Sequence, residues 1–478
     1  MYLFLNREYM GNELTKKYNL ITAIAAVVGI VIGSGVFFKA QPILIATWGD
    51  LPLGIWAWII GGLVMLACIM MFSRLAGKYE KVNGVVDYAE NTCGKGFAYY
   101  IGRFVATIYL PCITSVLAWV TARYFSVLFD RSITGGECMC LAGFILIACF
   151  VRNALAPKIA GKIQVATMII KLIPILGMAI VGTIYGLMTG MTVENFTHVA
   201  SEALGGTTGS LLKAVVATAF AYEGWICVTS LNSEIKNSKR NLPIALISGA
   251  ILIIVVYVLY YIGVAGGATN AVLMEEGATT AFTNIFGTIG GTILNALVVV
   301  SCLGTLNGLT MGISRCMYSL AVRNQGPNPE LFKQVDPVSN MPLASTFIQM
   351  WITAIWFVYF YGANLTEGRF WLFNFDSSEL PIITLYGMYI PIFIGYMIKE
   401  KTENIFWRYI MPILAIIACG FMVFAAIYAH GIMPYEASRE AGTGFSCPVL
   451  FYLIIFAGIM IIGACFKNHA ASKESIQS

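Results

Sequence analysis

Apolar residues recur along this chain in runs long enough to cross a bilayer, separated by short polar stretches. A crossing helix needs about 20 consecutive, mostly apolar residues. Twelve runs meet or approach that length: 20–45, 53–73, 97–122, 139–152, 161–188, 209–232, 242–267, 286–322, 342–362, 377–398, 409–430 and 446–466. The fourth is the shortest. The pattern predicts an all-α polytopic membrane protein with 12 transmembrane helices, a single domain over 1–478. The first run is too long for a signal-peptide core and no small-residue cleavage site follows it. Met10 begins a more usual amino terminus than Met1.

Composition removes the soluble alternatives. Apolar residues make up 58% of the chain and charged residues 11%, against about 45–50% and about 25% in globular domains. So little charge cannot cover so much apolar surface in water. The cysteines are scattered singly, mostly inside apolar runs (Cys68, Cys112, Cys149, Cys302, Cys419, Cys465), and read as small buried hydrophobes. No CxxC, HExxH, GxSxG or P-loop occurs, and there are only 3 histidines. Nothing here points to an enzyme, a metal or a cofactor.

The net charge of +5 is a topology signal, not a nucleic-acid one. Following loop parity through the twelve runs, 20 Lys/Arg fall on one side and 4 on the other (Arg123, Arg131, Arg369, Arg439). Positive charge collects on the cytoplasmic side, so both termini are expected in the cytoplasm and the protein in the cell membrane, surrounded by lipid. The other five cations, Lys39, Arg103, Lys171, Lys213 and Arg315, sit within or at the ends of spans.

Two spans carry interruptions. Span 1 reads Val28-Gly29-Ile30-Val31-Ile32-Gly33-Ser34-Gly35-Val36-Phe37, and span 6 reads Phe220-Ala221-Tyr222-Glu223-Gly224-Trp225. Each mid-helix glycine costs about 1 kcal/mol of helix propensity, and Glu223 puts a carboxyl near the bilayer centre. Read alone, Gly29 and Gly33 also fit a small-residue packing face, Ser34 a hydroxyl bonded to its own helix, and Phe220 and Trp225 plain packing aromatics. Spacing favours the other reading. An odd number of spans apart, the two breaks fall at equivalent places in two inverted five-span repeats, 20–188 and 209–398, with 409–466 as accessory spans. An unwound segment exposes N–H groups that attract a carboxylate and carbonyls that attract an ammonium. A zwitterion such as an α-amino acid suits both.

These residues resemble the bacterial branch of the L-type amino acid transporters, within the amino acid–polyamine–organocation superfamily, and look most like its serine/threonine exchangers. The resemblance is carried by Val28–Phe37, Lys171-Leu-Ile-Pro174, Phe220 through Glu234-Ile-Lys-Asn-Ser-Lys-Arg-Asn-Leu-Pro243, and Gly304-Thr-Leu-Asn-Gly308 with Ser314-Arg315 following. It is good from about 20 to 335 and weaker beyond. It implies a LeuT-type fold with discontinuous spans 1 and 6, and amino acid transport, usually by exchange. By position, substrate would lie against Val31, Ile32, Gly33, Ser34 and Gly35 and against Phe220, Ala221, Tyr222, Glu223 and Gly224. The carboxylate would meet the N–H groups and hydroxyl around Ser34 and Gly35. The ammonium would meet the carbonyls of Val31, Phe220 and Glu223, under Phe220 as aromatic gate. Lys171, costly mid-span, would replace a sodium ion by tying carbonyls near Gly29 and Ile32 to Thr305, and to Ser301 on the same helix face.

Glu223 stays open between a structural acceptor, a proton site and a partner for a cationic side chain. Two readings therefore stand beside the sodium-independent exchanger of small or neutral amino acids. One is a proton-coupled importer of cationic amino acids or polyamines, with Glu194, Glu202, Glu275 and Glu276 in its outer loops. The other is a sensor that binds an amino acid without moving it. The cytoplasmic exit of span 2 (Ser73-Arg74 to Glu80-Lys-Val-Asn83-Gly84) and Gly102-Arg103 in span 3 depart from the family pattern. Asp376 and Glu379 read as solvated helix-end acids. Animal relatives bond a glycoprotein through an outer-loop cysteine. Cys138 ends that loop here, and no obligate protein partner is expected.

Overall fold

Asn19 opens the first helix by accepting a hydrogen bond from the Thr22 amide at 2.9 Å, and Asp50 caps the third, which starts at Leu51, by accepting from Leu53 at 2.8 Å. The computed structural model describes residues 16–79, 83–129, 131, 133, 135–197, 207–365, 374–442 and 444–467. Met1, Arg7, Met10, Glu80, Lys81, Glu202, Arg369 and Lys473 lie outside these, and so does the side chain of Ser34.

Among the described residues, eleven helical stretches are long and apolar enough to cross a membrane, and Pro448–Ala464 is a shorter apolar twelfth. Span 1 is two helices, Leu20–Val31 (1a) and Ser34–Ala46 (1b). Span 2 is Leu51–Lys78, span 3 Lys95–Val127, span 4 Gly136–Leu155 and span 5 Pro157–Thr189. Span 6 is broken into Thr207–Ala221 (6a) and Ile226–Thr229 (6b). Spans 7 to 11 are Ser238–Val264, Ala278–Ala321, Leu343–Ala363, Leu380–Lys399 and Phe406–Glu440.

Several edges differ from expectation, span 11 most of all, which runs on to Glu440 instead of ending near 430. The short fourth run is a 20-residue helix, because Glu137 and Arg152 lie in its first and last turns rather than in loops. Span 8 starts at Ala278, and its expected start near 286 marks a kink at Gly287, where φ is 74°.

Span 2 packs along span 7, span 5 along span 8, and span 10 along span 11. Helix 1a lies against spans 5, 7 and 8, and 6a against 1b and span 2. Lipid is as apolar as leucine, so packing and hydrogen bonds hold such a bundle together. Aromatic side chains supply much of it. Trp58 meets Tyr222 at 5.7 Å and Tyr257 at 5.3 Å, and Phe72 meets Trp225 at 5.4 Å and Tyr389 at 4.6 Å. Cys68, Cys112, Cys149, Cys302 and Cys419 are buried, as expected of small hydrophobes, whereas Cys465 is exposed.

The charged departures at the end of span 2 have partners. Arg74 and Lys78 each reach Glu403 at 2.7 Å, Lys78 also pairs with Glu400, and the Tyr79 hydroxyl donates to Glu400 at 2.6 Å. This joins span 2 to the connection between spans 10 and 11. Burial alone would raise both carboxyls. For Glu400 the hydrogen bonds from Lys78 and Tyr79 outweigh it, for Glu403 those from Arg74 and Lys78, and both stay below the usual carboxylate value. A carboxyl held low contributes stability that is present above the unfolded value of about 4.3 and is lost as pH falls through the folded one. Thermal unfolding of purified protein should therefore move to lower temperature on acidification below about pH 4.3. The Glu400→Gln, Glu403→Gln double variant should lose less than the wild type over that step.

Candidate functional site

Both mid-span breaks face one small space. It is lined by Ile30, Val31, Gly33 and Gly35 of span 1, Phe220, Glu223 and Gly224 of span 6, and Thr305 of span 8. Apolar walls come from Ile113 and Leu117 of span 3, Leu309 of span 8 and Ile382 of span 10. The space is about 30 Å³, on a measure in which one water takes about 10–15 Å³. An amino acid enters only when the spans move apart.

The sequence builds the breaks through glycine. A β-carbon on Gly35 would stand 2.7 Å from the Ala221 α-carbon, so 1b and 6a touch backbone to backbone there. One on Gly33 would run into the Thr305 side chain. Gly224 has φ +103°, a left-handed conformation that other residues rarely adopt. Helix 1b starts without a side-chain cap, so the first amides of that helix have no intrahelical partner.

Of the sequence-predicted residues, Val31, Gly33, Gly35, Phe220, Glu223 and Gly224 line the space. Ser34 begins helix 1b through its backbone. Ile32, Ala221 and Tyr222 are not among the lining residues. The Ile32 carbonyl turns to Lys171, and Ala221 is the floor that Gly35 meets. The Tyr222 hydroxyl donates to the Trp58 carbonyl at 2.9 Å, away from the space. Trp225 is buried between Phe72 and Tyr389 as a packing aromatic.

Lys171 is fully buried. Its ammonium donates to the Gly29 carbonyl at 2.6 Å, to the Ile32 carbonyl, and to the Thr305 hydroxyl at 3.0 Å. All three donors are used, and spans 1, 5 and 8 meet on one charge. Ser301 does not join them; its buried hydroxyl finds no partner among the described residues.

Two tyrosines were not foreseen. The Tyr257 hydroxyl of span 7 lies 2.9 Å from the Val31 carbonyl and 3.0 Å from the Ala221 carbonyl, bridging the ends of 1a and 6a. The Tyr109 hydroxyl of span 3 donates to the Glu223 carboxyl. A tyrosine inside an apolar run carries no mark of either role, although Tyr109 ends a π-helical turn just before Pro111, and such turns often mark functional positions.

Ion networks close the space on both sides. Toward the termini, Glu234 is fully buried and pairs with Arg315 and, at 2.6 Å, with Lys17. The Lys17 and Tyr18 amides donate to the Glu234 carbonyl at 2.8 and 2.9 Å. Toward the opposite face, Glu379 is buried between Lys39 and His430. That corrects the reading of Glu379 as a solvated helix-end acid: span 1b and span 11 both turn a cation-bearing group toward it. Asp376 is half-buried and accepts from the Ser378 amide at 2.6 Å.

Comparisons with known proteins find transporters. The chain is 29% identical over 425 residues to the serine/threonine exchanger SteT of Bacillus subtilis (strain 168), covering 86% of this chain and 91% of that protein. It is 25% identical over 372 residues to the glutamate/serine transporter AimA of the same organism, covering 73% and 67%. It is 22% identical over 438 residues to the human (Homo sapiens) cystine/glutamate transporter, covering 89% and 83%. These relatives are transporters, not enzymes, and the amino acid permease family model matches residues 18–468. With its multi-pass helical bundle and paired mid-span breaks, the chain belongs to the amino acid permease family.

Proposed function

We propose that this permease is a sodium-independent exchanger of small or neutral L-amino acids, working by alternating access in the cell membrane with both termini cytoplasmic. The observation that carries the reading is the pair of open backbone ends facing one space whose walls on spans 3, 8 and 10 are aliphatic but for Thr305. The amides at the start of 1b, from Ser34 and Gly35 onward, take the substrate carboxylate. The carbonyls of Val31, Phe220 and Glu223 take its ammonium; Val31 keeps a lone pair beside its bond to Tyr257. Phe220 covers the substrate. Ile113, Leu117, Leu309 and Ile382 meet the side chain and favour uncharged ones. Lys171 occupies the place of a coupling cation between Gly29, Ile32 and Thr305. Spans 1–5 (20–188) and 6–10 (209–398) act as the two inverted repeats, with 409–466 as accessory spans. The loop charge bias supports the orientation. The names of SteT and AimA, a serine/threonine exchanger and a glutamate/serine transporter, support the substrate class. Cys138 is fully buried, which supports action without a disulfide-bonded partner.

The test is counterflow in liposomes against a panel of amino acids. Serine, threonine and other small neutral residues should exchange, and arginine and polyamines should not. Gly35→Ala places a methyl against the span 6 backbone and should weaken every accepted amino acid at least tenfold, about 1.4 kcal/mol. Unchanged affinity in correctly inserted protein removes the site.

Glu223 is read as a structural acceptor, because Tyr109 already occupies its carboxyl. Glu223→Gln should then weaken neutral substrates as much as cationic ones in the same assay. A loss confined to cations would make it the partner of a charged side chain.

A further inference from the structure

Four elements meet above the central space on the face opposite the termini. Lys39 projects from 1b, Phe220 from 6a, Glu379 from the start of span 10, and His430 from span 11. The Lys39 ammonium pairs with one Glu379 oxygen and lies 5.3 Å from the centre of the Phe220 ring. The other Glu379 oxygen is 2.9 Å from His430 Nε2. Lys39 and Glu379 are 6% and 7% exposed, so this is a buried cluster and not a solvated surface pair. His430 sits in a π-helical turn, Tyr428–Ile432, that turns it inward.

The cluster has one carboxylate and two groups that compete for it. With the imidazole neutral, Glu379 serves Lys39 as an ordinary ion pair and ties 1b to span 10. With the imidazole protonated, the same carboxylate is shared between two cations, and those cations repel each other. Asp376 of the span 10 entry is the other charge acting on the imidazole. Spans 6 and 12, which also pack against this turn, add no ionisable group among the described residues that acts on it. Histidine is the side chain whose ordinary titration falls in the physiological range.

We propose that Lys39, Glu379 and His430 form a proton-binding latch on the outer gate, in which a proton on His430 draws Glu379 toward span 11 and releases Lys39 with helix 1b. The ligand of this site is a proton from the outer solution. The latch rests on the alternating-access reading above, because it assigns the Phe220 face to the outside. It adds a control that neither the zwitterion site nor Lys171 supplies: outward opening becomes easier as the outer solution is acidified.

Two measurements on the full-length protein test it. The first is amino acid exchange in liposomes with the external solution at about pH 6 and about pH 8, bracketing the histidine range. Wild type should exchange roughly threefold or more faster at the lower pH, the size of a modest population shift. His430→Gln keeps a hydrogen-bonding side chain but no titration, and should give equal rates at both. The second is hydrogen–deuterium exchange over residues 36–46, corrected for the intrinsic pH effect. Helix 1b should open more readily at the lower pH in wild type, equally at both in His430→Gln, and readily at both in Glu379→Gln. A variant that is merely destabilised would exchange faster throughout its length and would keep the pH step. A flat wild-type profile in both measurements, or a pH step retained by His430→Gln, overturns the latch. A pH step in helix 1b without exchange of any amino acid would leave the latch standing and remove the transport reading instead.

Discussion

Lys171→Ala is expected to lower exchange turnover at least tenfold, about 1.4 kcal/mol on the barrier, while substrate affinity changes by less than that. The ammonium is the common partner of the Gly29 and Ile32 carbonyls and the Thr305 hydroxyl. Removing it leaves the Gly29 and Ile32 carbonyls to share one proton of the Thr305 hydroxyl, 3.3 and 3.1 Å away, so at least one buried acceptor goes unsatisfied at a cost of about 1–3 kcal/mol, and helix 1a is loosened from spans 5 and 8. The substrate touches the adjoining backbone rather than the lysine, so the moving parts suffer more than the binding step. Wild-type exchange should also be indifferent to replacing sodium with choline, because a sodium ion beside this ammonium would face like-charge repulsion in a low-dielectric site. Both outcomes are read from purified protein in liposomes with and without a sodium gradient. Strict sodium dependence, or full turnover in Lys171→Ala, would give the lysine another role.

The second large effect is expected at the opposite gate. Glu234→Gln leaves the buried Arg315 and the half-buried Lys17 without their carboxylate, and breaking a buried pair from one side costs about 3–5 kcal/mol. Thermal stability of the purified protein should fall steeply, and exchange with it. Replacing Glu234 and Arg315 together with leucine should recover much of the stability, because the stranded charge is gone, but not the exchange, because the gate no longer re-forms. Burial alone would raise the Glu234 carboxyl; Arg315 and Lys17 outweigh it and hold it below the usual carboxylate value. The cluster's contribution is therefore present above the unfolded value of about 4.3 and is lost as pH falls through the folded one. Wild-type stability in Glu234→Gln would show that the cluster does not hold this face closed.

The span count was legible because bilayer thickness imposes a minimum apolar length on every crossing helix. The breaks were legible because glycine and a carboxyl are costly mid-span. Lys171 announced itself for the same reason, whereas its three partners, the carbonyls at Gly29 and Ile32 and the Thr305 hydroxyl, were implied by the family resemblance and not by the lysine's own place in the chain. Glu234 and Arg315 were visible as separate motifs, but their meeting depends on the tertiary packing of spans 6 and 8. Tyr109 and Tyr257 were not legible, since a hydroxyl on an aromatic ring costs little in an apolar run. Glu379 was misread because local sequence shows only its own helix end. The groups that bury it, Lys39 and His430, lie 340 and 51 residues away.

The central space has an uneven wall: the backbone breaks of spans 1 and 6, with Phe220 and Glu223, on one side, and side chains of spans 3, 8 and 10, aliphatic but for Thr305, on the other. Amides and carbonyls are the same whatever residue carries them, so point mutation can remove that half of the wall but cannot retune it. Ile113, Leu117, Leu309 and Ile382 can each be exchanged without disturbing the backbone breaks. Selection for a new substrate, in nature or in a library, therefore has few productive positions on spans 1 and 6. It should accumulate its changes on the aliphatic side, altering which side chain is carried while the grip on the zwitterion is inherited intact.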